Sequence, residues 1–202
     1  RCSSASSRSS LLASRFRLQL VFDIDIERAL RAAVLAHAKQ TRKGSDLPYA
    51  THPVHVALIL ARVGASTVSI QAGLLHDVVE DCDDWTGERV ATEFGDDVAA
   101  IVAELTEEKG KTWEERKLTA ASKAETISAE GALVKAADQL HNLSTLLEAL
   151  RDAEDPALVW SGFKGGRDET IRMARLLVEA LSGRCDSRIT GATTEALDEI
   201  QS

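Results

Sequence analysis

The sequence predicts a single all-α domain, and three observations support this prediction. The composition is rich in Ala, Leu and Glu but contains only three Pro, one Tyr and four Phe, which favours helices over strands. Apolar residues recur at helical spacing, first in a stripe formed by Ala29, Leu30, Ala33, Val34 and Ala38. The length of 202 residues, of which 44% are hydrophobic, is enough for one well-buried core and too short for two ordinary domains.

The predicted helices follow one another with short breaks. The first begins at Ile24 and contains His37, which is more typical of a packed position than of a metal ligand. A loop with Gly44 follows, and its adjacent cations can face a phosphate. The second helix is predicted to begin near His52-Pro53, because proline is tolerated in the first helical turn. The other predicted helices span residues 67–80, 87–94, 96–106, 113–128, 131–150 and 160–181.

The two ends of the chain are predicted to lie outside the domain. Residues 1–22 are rich in Ser and contain four Arg but no acid, a composition typical of targeting peptides and equally of disordered leaders. The domain is therefore expected to span residues 23–182. Residues 183–202 show weak periodicity, which predicts a loosely packed C-terminal tail.

Composition and charge exclude several classes of function. A net charge of −8 argues against binding nucleic acid, which needs a basic surface. No apolar run approaches 18 residues, so a membrane span is not predicted. The three cysteines, at positions 2, 82 and 185, indicate neither a disulfide framework nor a cysteine-based zinc site. We therefore expect a cytoplasmic protein, with organelle targeting by residues 1–22 as the less favoured alternative.

The segment 72–81 carries the main chemical signal. It places His76, Asp77, Glu80 and Asp81 within six residues of an apolar helical run. On one continuous helix, His76 and Glu80 would share a face, with the two aspartates together beside it. An unpaired carboxylate at the edge of buried surface is costly, and a bound cation would remove that cost. The alternative is a packed histidine beside a solvated acidic face, because short motifs recur by chance.

Further candidate ligands lie in two other predicted helices. His52 is held at a helix start by Pro53, and Asp138 is an isolated acid among Ala, Val and Leu. Together with His76 and Asp77, they provide two imidazoles and two carboxylates. Such mixed ligands suit a divalent transition metal, such as Mn, Fe, Co or Zn, better than Ca or Mg. A cation of this kind activates water and screens phosphate charge, which is a sufficient basis for phosphoester hydrolysis.

Three motifs also carry a resemblance to a known family. They cover residues 37–53, 74–81 and 135–143, with the sequences HAKQTRKGSDLPYATHP, LLHDVVED and KAADQLHNL. Over residues 27–182 the chain resembles the HD-domain hydrolases of RelA/SpoT-type alarmone enzymes, and it is closest in size to the stand-alone small alarmone hydrolases. The resemblance implies an HD-domain helical bundle, one Mn²⁺ ion and removal of the 3′-pyrophosphate from guanosine tetra- and pentaphosphate.

The resemblance further implies roles for individual residues. The metal ligands that it implies are His52, His76, Asp77 and Asp138. The acids that would orient or deprotonate the attacking water are Glu80 and Asp81. The residues that would contact the nucleotide are Arg42, Lys43, Asn142 and Lys164.

Two residues depart from the family pattern. Gln139 and Ser144 stand at positions where the family commonly has cations, which weakens the expectation of a highly phosphorylated substrate but leaves the predicted ligands unchanged. Two alternatives therefore stay open. One is an HD phosphohydrolase that acts on another nucleotide or phosphoester. The other is a non-catalytic HD module that binds a nucleotide or a protein partner, although the Glu80-Asp81 pair counts against it.

Overall fold

A computed structural model of the protein describes residues 22–202, in which every regular element is a helix. The helices described are α1 (Ile24–Ala36), α2 (Thr51–Val63), α3 (Thr67–Leu75), α4 (Val78–Asp81), α5 (Gly87–Phe94), α6 (Asp96–Leu105), α7 (Trp113–Ala124), α8 (Ala129–Asp152), α9 (Pro156–Ser161), α10 (Gly166–Leu181) and α11 (Ser187–Gln201). None of them is both long and apolar enough to cross a membrane. The all-α prediction is confirmed, whereas residues 1–21 of the predicted leader lie outside the described residues.

Helix α3 lies at the centre of the bundle, where it contacts α1, α2, α6 and α8. Its sequence explains this position, because residues 69–75 are all buried. Gly73 allows α2 to approach closely, since a Cβ atom at this position would lie 2.5 Å from Cδ1 of Leu60. This packing brings His52, at the start of α2, next to His76, which directly follows α3.

The first helix supports one sequence expectation and corrects another. Ala29 and Ala33 are buried as the stripe predicts, but Val34 is 42% exposed and Ala38 is also exposed. The helix ends at Ala36, so Ala38 lies beyond it, and Val34 lies about 100° around the helix from Ala33. His37 is buried, and its Nδ1 lies 2.6 Å from Oε1 of Gln40, which confirms the expectation that it is a packed residue.

Two predicted helices are each interrupted by a turn. The helix predicted over residues 67–80 breaks at His76 and Asp77, which separate α3 from α4. The Nδ1 atom of His76 bonds to the carbonyl oxygen of Gly73 at 2.8 Å, the acceptor that the Asp77 amide would use in a continuous helix. The helix predicted over residues 160–181 breaks before Gly166, whose φ of 62° is a left-handed conformation that favours glycine.

The C-terminal segment is an integral part of the domain, so the prediction of a loosely packed tail is wrong. Helix α11 packs against α8 and α10, and Ile189 and Leu197 are 2% and 1% exposed. The buried positions do recur at helical spacing, but Thr193 is one of them and weakens the apolar pattern. Its hydroxyl donates to the Ile189 carbonyl oxygen at 2.7 Å, which satisfies the buried polar group.

Candidate metal centre and active site

Two imidazole rings form the centre of the site. His52 and His76 are 1% and 4% exposed, and their Nε2 atoms lie 3.2 Å apart. The other nitrogen of each ring also has a partner: Nδ1 of His76 bonds to the Gly73 carbonyl oxygen, and Nδ1 of His52 lies 2.9 Å from Nδ1 of His141. Because a carbonyl oxygen only accepts, Nδ1 of His76 carries a proton, and Nε2 is the nitrogen of this ring that faces the cluster and can bind a metal.

Two carboxylates face these Nε2 atoms. Oδ2 of Asp77 lies 3.5 Å from Nε2 of His52 and 3.2 Å from Nε2 of His76. Oδ1 of Asp138 lies 3.3 Å and 3.8 Å from the same two atoms. The structure thus brings together all four side chains predicted as ligands, and the donor set of two imidazoles and two carboxylates fits a divalent transition metal.

A half-buried lysine forms an ion pair with Asp138. Nζ of Lys135 lies 3.0 Å from Oδ2 of Asp138, and the two residues are three positions apart on α8, so they share a helix face. Burial by itself would raise the pKa of Asp138, but the Lys135 ammonium and the nearby imidazoles outweigh it, and the pKa lies well below its usual range. Asp138 is therefore ionised and oriented before any ion binds. Sequence reasoning did not assign this role to Lys135, although the i, i+3 spacing could have indicated it.

A tyrosine supports Asp77. The hydroxyl of Tyr49 donates to Oδ2 of Asp77 at 2.6 Å. Burial and then the negative charge of Asp77 raise the pKa of Tyr49, so the phenol stays protonated and remains a donor. Burial would also raise the pKa of Asp77, but the His76 ring offsets it, and the pKa of Asp77 is lowered. The sequence motif contains Tyr49, but nothing in its local pattern indicates a partner 28 residues away.

The two predicted catalytic acids line the same open cleft as the four candidate ligands. Glu80 is partly buried, and Asp81 is exposed at the rim. Burial and then the like charge of Glu107 raise the pKa of Glu80, while burial and then the charge of Asp77 raise the pKa of Asp81. Carboxylates with raised pKa values beside a metal site are suited to accept a proton from water.

A network of charged side chains fixes Glu80. Its Oε1 lies 3.3 Å from Nη1 of Arg116, and its Oε2 accepts from the Glu107 amide at 3.2 Å. Glu107 in turn pairs with Arg116 at 3.1 Å and with Lys117 at 2.7 Å. Sequence reasoning did not single out these residues, because α7 is highly charged and its pattern alone does not distinguish a cleft-facing cation from a solvated one.

The loop between α1 and α2 brings cations to the edge of the cleft. Nη2 of Arg42 donates to Oδ1 of Asn142 at 3.0 Å, and Nδ2 of Asn142 donates to Oδ1 of Asp138 at 2.6 Å. The Arg42 guanidinium also lies 5.5 Å from the centre of the Tyr49 ring. A continuous chain of hydrogen bonds therefore connects the loop to the ligand cluster.

Lys43, on the same loop, meets the turn between α9 and α10. Its Nζ lies 4.3 Å from the centre of the Phe163 ring. Burial and then the charge of Lys164 lower the pKa of Lys43. Lys43 thus packs against the turn that carries Lys164, and it follows directly after Arg42, which reaches Asn142.

A second, open cavity adjoins the metal cleft. The two cavities share Lys117, Asp138 and Asn142 among their lining residues. The walls of the second cavity come from α7, α8 and α10 and are largely apolar, including Trp113, Leu143, Leu146, Met173 and Leu177. The site therefore has room for a substrate much larger than a single phosphate group.

Comparisons with known proteins agree with this geometry. The HD domain family model matches residues 29–164. A guanosine-3′,5′-bis(diphosphate) 3′-pyrophosphohydrolase, MESH1 of Xenopus tropicalis, is 35% identical over 161 residues, which cover 78% of this chain and 89% of that protein. A probable GTP pyrophosphokinase of Mycobacterium leprae is 37% identical over 60% of this chain but only 16% of its own length. A solved structure described as a metazoan ortholog of SpoT that hydrolyses ppGpp superposes with a TM-score of 0.73 and 29% identity, covering 86% of this chain and 94% of the other.

Proposed function

The chain belongs to the HD-domain family, and we propose that it is a Mn²⁺-dependent hydrolase that removes the 3′-pyrophosphate from guanosine tetra- and pentaphosphate. The observation that carries this proposal is the convergence of His52, His76, Asp77 and Asp138 beside a pair of acids with raised pKa values. The similarity to a named 3′-pyrophosphohydrolase over 89% of that protein's length supports the choice of substrate.

The four ligand side chains would hold the metal. When bound, the ion supplies Lewis-acid chemistry, since it lowers the pKa of water and screens phosphate charge. The protein fixes the donors in advance: Lys135 holds one oxygen of Asp138 and Tyr49 bonds to Asp77. Mn²⁺ suits this mixture of nitrogen and oxygen donors.

The acids of α4 would handle the proton of the attacking water. Glu80 and Asp81 line the cleft that contains the ligands, and their raised pKa values bring their proton affinity closer to neutral pH, where a general base works best. Arg116 and the Glu107 amide hold the Glu80 carboxylate in place, which lets it orient water as well as accept a proton.

The cations at the edge of the cleft would bind the rest of the nucleotide. Arg42 offers a planar guanidinium that can pair with a phosphate or stack on a base, and it is already oriented by Asn142. Lys43 packs against the turn that carries Lys164, and these two lysines would bind the more distant phosphates. The adjoining cavity, whose walls come from α7, α8 and α10, would hold the nucleoside.

A second candidate is hydrolysis of a less highly charged nucleotide or phosphoester. Gln139 lines the adjoining cavity and is neutral, although the family that the sequence resembles commonly has a cation there. This difference lowers the positive charge available to a substrate with several phosphates.

A product assay separates the two candidates. Mn²⁺-loaded protein is incubated with guanosine tetraphosphate, GTP, other nucleotides and a simple phosphomonoester, and released pyrophosphate and phosphate are measured separately. We expect pyrophosphate and GDP from guanosine tetraphosphate, and the His76→Ala variant serves as the inactive control. Release of phosphate from another substrate, with the tetraphosphate left intact, would favour the second candidate.

We also propose that the protein acts in the cytoplasm. Cys82 and Cys185 are free thiols, which supports a reducing compartment. Fractionation of cells that produce the protein, followed by detection of the chain in each compartment, tests this location.

A further inference from the structure

His141 has a buried contact that the proposed mechanism does not use. We propose that His141 is a positioning residue that keeps His52 in the tautomer able to bind the metal. This inference rests on the metal centre proposed above and does not depend on the identity of the substrate.

The contact is a hydrogen bond between two ring nitrogens. Nδ1 of His141, on α8, lies 2.9 Å from Nδ1 of His52, and the ring centres are 4.7 Å apart with an angle of 60° between the planes. Both rings are buried, at 6% and 1% exposure, so water does not replace this bond easily. Only one hydrogen atom fits between the two nitrogens, and one ring must therefore donate while the other accepts.

The position of that hydrogen decides whether His52 can be a ligand. Nε2 of His52 faces the cluster, 3.2 Å from Nε2 of His76 and 3.3 Å from Oδ1 of Asp138. If His141 donates, a neutral His52 carries its proton on Nε2 and has no lone pair there for a metal. If His52 donates, its Nε2 is free. Metal binding thus requires that His141 accepts through Nδ1 and carries its own proton on Nε2.

In both proposed histidine ligands the proton must be on Nδ1, but the hydrogen-bond acceptor that keeps it there differs. For His76 the acceptor is the backbone carbonyl of Gly73, which a side-chain substitution does not remove. For His52 the acceptor is a side chain, three positions after Asp138 on α8. One helix face therefore supplies a ligand and also the partner of a second ligand, and this partner can be changed by mutation.

The test compares the affinity of metal-free protein for Mn²⁺ among three variants by calorimetry. His141→Leu removes the acceptor but keeps an apolar group of similar size. His141→Asn places a carbonyl oxygen as many bonds from the backbone as Nδ1 and so keeps an acceptor. His55→Ala is the matched control, because the exposed His55 ring lies 5.0 Å from the His141 ring but is not in the ligand cluster.

We expect the Leu variant to bind Mn²⁺ about 10–100-fold more weakly, the usual loss when the hydrogen-bond partner of a metal ligand is removed. The Asn variant should stay within about threefold of the unmodified protein, less than 1 kcal/mol, and the His55→Ala control should be unchanged. Unchanged affinity in the Leu variant would overturn the inference. Equal losses in the Leu and Asn variants would also overturn it, because His141 would then contribute only packing.

A measurement without substitution covers the case in which the Leu variant does not fold. Nitrogen NMR shifts of the imidazoles, recorded on Zn²⁺-loaded protein, report which ring nitrogens carry protons. We expect a proton on Nδ1 of His52 and none on Nδ1 of His141, and the reverse pattern would refute the inference. If these results are as expected but guanosine tetraphosphate is not cleaved, the proposed function fails and the role of His141 stands.

Discussion

The metal-ligand cluster and the loop between α1 and α2 lie side by side, but their side chains are held by different contacts. Three of the cluster's four side chains are buried and that of Asp77 is half-buried, and each of the four bonds to the backbone or to another buried or half-buried residue. The loop is largely exposed, and its cations are held by one bond from Arg42 to Asn142 and by contacts with aromatic rings. The region proposed to bind an ion is thus preorganised, whereas the region proposed to take up and release a nucleotide is held by few contacts.

Removing a ligand tests the buried side of this comparison and should have the largest effect. We expect His76→Ala to abolish both Mn²⁺ binding and hydrolysis, measured by metal content and product release. Asp138→Ala should do the same and also destabilise the fold by about 1–3 kcal/mol, because it leaves the half-buried Lys135 ammonium without its partner. Asp84→Ala, an exposed acid outside the cleft, is the control. A metal-free variant that keeps full activity would contradict the metal centre.

Replacing the two acids of α4 tests the part of the cleft that lies next to the ligand cluster. The double variant Glu80→Gln with Asp81→Asn should keep Mn²⁺ affinity but lower kcat by about 100-fold or more, the usual range for a lost general base. Calorimetry and single-turnover kinetics measure the two effects separately. Activity within a few-fold of the unmodified protein would mean that these acids only form a solvated face.

Changing Arg42 tests the exposed side. Arg42→Ala should raise KM for guanosine tetraphosphate by about 10–100-fold, the loss expected for a hydrogen bond to a charged group, with a smaller change in kcat. Arg42→Lys should not restore KM, because lysine lacks the planar fork. Lys39→Ala, an exposed cation before the loop, is the control. If Arg42→Ala had an equal effect on KM for a phosphomonoester without a base, the proposed contact between Arg42 and the nucleotide would be wrong.

The smallest effect is expected far from both regions, at the start of α11. The side-chain and backbone bonds of Arg188 lower the pKa of Asp186 from 3.8 to about 2. Because the folded-state pKa is depressed, Asp186 stabilises the fold above about pH 4 and loses this contribution as the pH falls through about 2. Denaturant unfolding should show Asp186→Asn to be less stable at pH 7 but equal to the unmodified protein near pH 2. Mn²⁺ affinity and KM at pH 7 should not change.

The sequence was sufficient to single out the four candidate ligands because each of them stands out locally. His76, Asp77 and Asp138 are polar residues within apolar helical runs, and Pro53 marks His52 at a helix start. The structure places these four side chains together as predicted. Local pattern is informative here because an isolated polar group in a buried helix needs a partner.

Tyr49 and His141 could not be predicted in the same way, because their partners, unlike the partner of Lys135, are distant in the sequence. Tyr49 bonds to a residue 28 positions away, and His141 to one 89 positions away. The break after α3 depends on a side chain that competes for a backbone carbonyl, which hydrophobic periodicity does not reveal. Helix α11 was not predicted as a packed helix for a similar reason. The buried Thr193 interrupts its apolar pattern, and the bond from Thr193 to the Ile189 carbonyl cannot be inferred from that pattern.

Asn142 has a consequence for how the two regions respond to each other. Its amide donates to Asp138 and accepts from Arg42, so one side-chain orientation serves the ligand cluster and the loop. An ion that immobilises Asp138 also immobilises this amide and, through it, the guanidinium. Thermodynamic linkage then requires reciprocity: the factor by which Mn²⁺ tightens nucleotide binding equals the factor by which the nucleotide tightens Mn²⁺ binding. For the nucleotide site proposed above, a rise in the free concentration of either ligand would therefore raise the occupancy of the other's site.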